Sequence, residues 1–140
     1  MKLQITRADV WHAGMKDQPG GLAGKLDKLA QAGVDLEFLI ARRAVKKPGS
    51  GVVFVTPIKG TKQLNAAKKA GFRKSKSIFG VRVASSDRPG LGSKLTAAIA
   101  EANVNLRGAS AASIGKKAIF NFAFDSAAAA GKAIRAMKKL

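Results

Sequence analysis

"DRPGLGSKLTAAIAEANVNL", Asp87 to Leu106, has a precursor in the same chain: "DQPGGLAGKLDKLAQAGVDL", Asp17 to Leu36. Laid over each other without a gap, the blocks share Asp, Pro, Gly, two Ala, Val and Leu, at a spacing of seventy residues. In the later block Leu91, Leu95, Ile99 and Ala102 recur at helical spacing, as do Leu22, Leu26, Leu29 and Gly33 in the earlier one. Pro19 and Pro89 suit a first helical turn, and Gly33 suits a helix exit. The residues decide the fold because the same order of elements follows both blocks.

After the first block, "VDLEFLIARRA" alternates as a strand with Val34, Leu36, Phe38 and Ile40 on one face, "KKPGSG" makes a turn, and "VVFVTPI" returns as a second strand. Thr61 is placed to cap a short helix, "KQLNAAKKA", closed by Gly71. "FRKSKSIFGVRVASS" is long enough for one strand to finish and another to begin near Gly80. After the second block, "VNLRGASAASI" and "AIFNFAF" form another hairpin about "GKK". Asp125 or Ser126 then caps a final helix whose buried face would be Ala127, Ala130, Ile134 and Met137. Ahead of everything, Leu3 and Ile5 alternate until the pattern blurs at Ala8-Asp9. The chain therefore reads as βαββαβ twice, the second copy stopping before its last strand. This is an α+β protein with two ferredoxin-like units, residues 1–76 and 77–140, helices on one face of an antiparallel sheet. A unit of about seventy residues has a thin core, so two side by side bury more than one alone.

At 140 residues the chain is one ordinary domain or two small ones. With no cysteine, disulfides and thiolate metal sites are excluded. The start of the chain lacks the apolar stretch of a signal peptide, and no apolar run is long enough to cross a bilayer. The expectation is a cytoplasmic protein without membrane attachment. The net charge of +18 points to an acidic partner, whether nucleic acid, an anionic surface or an anionic metabolite, or else to a heavily solvated surface.

D-x-P-G, a helix and then A-x-V-N/D-L, in this element order, resembles the ACT domain, and nearly the whole chain is similar to small stand-alone proteins made of two ACT domains. The second copy is the nearer match; the first carries the variant "DQPGG". The resemblance implies a free amino acid as ligand, held between paired units by the loop before the first helix and the start of the second strand. On the second copy those positions are Ser85, Asp87, Arg88, Pro89, Gly90, Leu91 and Asn105; on the first they are Asp17, Gln18, Gly20 and Asp35. Met15 stands at the position of Ser85 and offers no comparable polar group. The chemistry agrees: a carboxylate suits the unpaired N–H groups of a helix start, and an ammonium suits Asp and Asn oxygens. Asp17 and Asp87 have a second use, as helix caps, and Asn105 as a turn residue. Gly92 and Gly24 make room for a ligand or for close packing, or else leave these helices weak, each costing about 1 kcal/mol relative to alanine. No cofactor or metal is implied.

Other classes fit less well. His12 is the sole histidine, tyrosine is absent, and no nucleophile–base or metal-ligand spacing occurs, so a non-catalytic protein is expected. Nucleic acid is the competing partner, because ferredoxin-like sheets can stack bases on exposed aromatic rings. Phe120, Phe122 and Phe124 share one face, and a two-layer domain would bury that face. A third reading is a regulatory subunit that docks on a separate metabolic enzyme. The missing last strand suggests an open sheet edge and hence a homodimer.

Overall fold

Side chains two apart along an extended chain share a face, and this sorts β1 (Gln4–Lys16) into a core side and a free side. Trp11 and Ala13 are buried, His12 between them is half-buried, and Gly14 and Lys16 after them are exposed. The computed structural model describes residues 2–140. Among these it contains six strands and four helices in two compact units.

The first unit, Asp9–Ser75, comprises most of β1, then α1 (Gly21–Gln31), β2 (Phe38–Arg43), β3 (Ser50–Thr56), α2 (Gly60–Lys69) and the start of β4 (Arg73–Ser86). Its strands follow the order β2-β3-β1-β4. β3 is antiparallel to both neighbours whose register is defined: Val53 faces Ala13 on β1 and Ala41 on β2. Trp11, Ala13, Leu29, Val53, Val55, Ala67, Ala70 and Phe72 form its core, with Leu22, Leu26 and Leu64 half-buried against it. The helix does not contain Pro19; it begins at Gly21, behind the left-handed Gly20. Thr61 does not cap α2 either. The cap position is Lys59, whose backbone N–H donates to Gln63 Oε1 at 2.8 Å. Gln63 thus reaches back to the backbone of the cap residue, and α2 has no side-chain cap.

The second unit is Lys76–Leu140 with the chain up to Ala8. It holds the rest of β4, α3 (Leu91–Glu101), β5 (Gly108–Ile114), β6 (Lys117–Phe124) and α4 (Ala127–Lys138). The expected two strands across Phe72–Ser86 are a single strand, β4, in which Gly80 is buried opposite Ala123. The edge left by the missing last strand is not open: the start of β1 lies beside β4, giving the order β1-β4-β6-β5. Leu3 and Ile5 pack against this unit's core, which is built from Val81, Val83, Leu91, Leu95, Ile99, Phe122, Phe124 and Met137, among others. The division expected after residue 76 thus falls one residue past the end of the first unit, and the opening residues go with the later part of the chain. The pattern blurs at Ala8-Asp9 because β1 passes there from one core to the other. Both units have the same strand order, with β4 supplying the last strand of the first and β1 that of the second. The free edges are β2 and β5.

Phe122 and Phe124 are buried and Phe120 is half-buried, stacked on Phe122 at 5.8 Å, so this face belongs to the core and not to a base-stacking platform. On α4 the buried residues are Ala130, Gly131, Ala133 and Met137, with Ile134 half-buried against the same core; Ala127, at the start of the helix, is exposed. Ser126, not Asp125, is its cap, its Oγ accepting from the N–H of Ala129 at 3.0 Å. Ser126→Ala should lower stability by about 1 kcal/mol in urea titration, and Ser126→Asp should restore it.

Candidate functional site

In each unit a cleft lies where the loop before the first helix meets the free edge strand. In the first unit it encloses about 220 Å³ between Met15–Gln18, Leu22, Ala41–Arg43 and Gly51. In the second it encloses about 210 Å³ between Asp87, Arg88, Gly90–Gly92, Ala111–Ser113, Ala118 and Phe120. Asp17 and Asp87, Gln18 and Arg88, Leu22 and Gly92, and Ala41 and Ala111 hold matching places in the repeat.

The loops are fixed by the hairpins they face. The N–H of Asp17 donates to the Gly49 carbonyl at 3.1 Å, and that of Asp87 to the Lys116 carbonyl at 2.8 Å. The chain then turns into the helix through Gly20, φ 84°, and Gly90, φ 82°. A Cβ at either would meet nothing within 4 Å, so it is the left-handed backbone and not lack of room that calls for glycine. Glycine brings no capping oxygen, and neither α1 nor α3 has a side-chain cap. The N–H groups of Gly21 and Leu91 turn back to the Gln18 and Arg88 carbonyls at 3.1 and 3.3 Å, and the rest of the first turn has no side-chain cap. The capping use of Asp17 and Asp87 is not what they do. Asp17 Oδ2 instead forms an exposed ion pair with Arg43 Nε at 2.8 Å.

Of the residues singled out in the sequence, Asp87, Arg88, Gly90 and Leu91 line the second cleft, and Asp17 and Gln18 the first. Pro89 and Gly20 shape the loops without lining the clefts. Ser85 lies on β4 opposite Ala118, which lines the cleft. Asn105 and Asp35 are exposed in the segments after α3 and α1, away from the lining residues of both clefts. The edge-strand contributions, Ala111–Ser113 and Ala41–Arg43, were missed in the sequence reading. Their signal was present in the repeat spacing, which places them equivalently on two strands that begin just after the matched blocks.

A Cβ at Gly92 would sit in ordinary contact with the Phe120 ring at 3.4 Å, so a methyl fits there and a longer side chain meets the ring. Phe120 faces Ala111 across the hairpin as Val53 faces Ala41 in the first unit. The first unit thus pairs a large Leu22 with a small Val53; the second pairs Gly92 with Phe120. Gly92→Leu alone should cost about 1–3 kcal/mol by overpacking. Adding Phe120→Val should recover most of it, as read by a double-mutant cycle.

No family model and no curated protein sequence matches the chain. Solved structures do. The ligand-free regulatory subunit of aspartate kinase from Thermus thermophilus superposes with a TM-score of 0.66 at 19% identity, over 99% of this chain and 96% of that one. The counterpart from Thermus flavus gives 0.58 at 20% identity, over 99% and 94%. Protein BT0572 from Bacteroides thetaiotaomicron gives 0.77 at 14% identity, over 98% and 89%. The likeness fixes the fold. It covers almost the full length of each chain, so the α+β, ferredoxin-like architecture accounts for nearly every residue. No described helix is long and apolar enough to cross a membrane.

Proposed function

We propose that this chain is a non-catalytic ACT-type regulatory or sensor protein that binds a free amino acid in the cleft between the β4–α3 loop and β5. The observation that carries the reading is the coincidence, in the second unit, of uncapped helix N–H groups, the Asp87 carboxylate and a small apolar floor in one cleft. A zwitterion needs donors for its carboxylate and an acceptor for its ammonium on adjacent atoms, and this cleft offers both. Asn105, away from the cleft in one chain, enters the reading only as a contact from a second copy.

That second copy has a natural place. β5 is a free edge of seven residues, "GASAASI", with no charge among them, whereas the other edge, β2, ends in Arg42-Arg43. Uncharged edges pair readily, and a copy docked on β5 would roof the cleft beside Ala111–Ser113. The expected state is a homodimer, and its regulatory output passes to a separate enzyme. Ser110→Lys/Ala112→Lys should convert the dimer to monomer in analytical ultracentrifugation and weaken amino-acid binding together.

The test is a thermal-shift screen of the twenty amino acids at low and high salt, with an RNA control. At least one amino acid should raise the melting temperature, since a ligand that binds only the folded chain stabilises it. Absence of any shift, with RNA binding that collapses on adding salt, favours a phosphate-binding role for the net charge of +18 instead.

A further inference from the structure

The two clefts match in place and in volume, about 220 and 210 Å³, so space does not distinguish them. Charge does. In the first, the carboxylate of Asp17 makes an ion pair at 2.8 Å with Arg43 of β2, whose side chain is 83% exposed. In the second, the place of Arg43 is taken by Ser113: Arg43 faces Gly51 beside Met15, and Ser113 faces Ala118 beside Ser85. Asp87 forms no ion pair among the described residues. The neutral Gln18 is likewise replaced by the cationic Arg88.

From this asymmetry we infer that only the second unit's cleft takes an amino acid, and that Arg43 occupies in the first cleft the position a ligand ammonium would need. The inference rests on the amino-acid reading above and adds which copy is competent and for what. An ammonium approaching Asp17 must displace one guanidinium and then sit beside it, like charge against like. One approaching Asp87 meets a carboxylate without a partner, with Arg88 on the same loop to take the ligand carboxylate. The ligand side chain then lies over Gly92, Ala111, Ala118 and Phe120, none of them charged or capable of a side-chain hydrogen bond. The class that fits is an α-amino acid with an apolar side chain. Charged side chains would lose their hydration there without a partner.

Isothermal titration with L-valine, L-leucine and L-phenylalanine, against L-aspartate and L-lysine, tests it on the full chain. At least one apolar amino acid should bind at one per chain, and the charged pair should not. Ser113→Arg, which copies the first cleft onto the second, should weaken that binding at least tenfold while circular dichroism and melting without ligand stay unchanged. Arg43→Ser combined with Gln18→Arg should raise the stoichiometry from one to two. Two sites per wild-type chain, undiminished binding to Ser113→Arg, or a preference for aspartate or lysine would overturn this inference alone. Failure of all twenty amino acids to bind the wild-type chain would remove the reading beneath it, and this inference with it.

Discussion

Deleting residues 1–7 should unfold the unit formed by Lys76–Leu140 and leave Asp9–Ser75 folded. The deletion removes Leu3 and Ile5 from the core of the second unit, although in sequence they adjoin the first. It also removes Arg7, whose guanidinium donates to the Ala127 carbonyl at 3.4 Å at the start of α4. Half-buried Leu and Ile are worth about 1 kcal/mol each, and the lost strand pairing adds about 1 kcal/mol per hydrogen bond. The total, about 3–5 kcal/mol, compares with roughly 4–10 kcal/mol for a unit of this size. The chain carries its own reporter, because its single tryptophan, Trp11, is buried in the first unit. Far-UV circular dichroism should show a new early transition in urea while tryptophan fluorescence keeps its midpoint. Superimposable transitions would mean that these residues contribute nothing particular to the second unit.

Phe124→Ala should cost about 3–5 kcal/mol, the range for emptying a fully buried aromatic site. Phe124 is 0% exposed and faces Phe79 across β4 and β6. A substitution that opens a cavity between α4 and the sheet has no surface route to relax. The consequence bears on function as well as stability. Were these rings a platform for bases, the loss would appear as about 1–3 kcal/mol of binding per base with the fold intact. The expected result is the reverse: the unfolding midpoint falls, and the affinity of the remaining folded protein for a single-stranded RNA probe is unaltered.

Local pattern carried much of this architecture. The leucine spacing of α1 and α3, the hairpin turns and the alternation of β6 were legible because each is a property of adjacent residues. What was not legible depended on partners far away. Nothing in "FRKSKSIFGVRVASS" says that one strand will run straight through two cores, since a glycine tolerated in mid-strand reads the same as a glycine at a break. The strand apparently missing from the second unit was in plain view as Leu3 and Ile5, with no local mark to say which core would receive them. At the site, the loop residues Asp87–Leu91 were legible from the repeat. Asn105 is expected beside them only across a seam between paired units, as the resemblance implies; within one chain the eleven residues of α3 stand between it and the loop, and it does not line the cleft. The cleft's other wall, Ala111–Ser113, consists of small residues with no chemical signature.

The handover of β1 between the two units also sets a timetable. β1 leaves the ribosome well before Lys76–Leu140, so Leu3 and Ile5 must wait as an unclaimed strand end until α3, β5, β6 and α4 have emerged. A nascent chain stalled or cut short in that interval presents an apolar strand with an empty ladder, the kind of surface that chaperones bind and that neighbouring nascent chains stick to. Slow translation of the second repeat is therefore expected to lower the yield of soluble protein more than slow translation of the first.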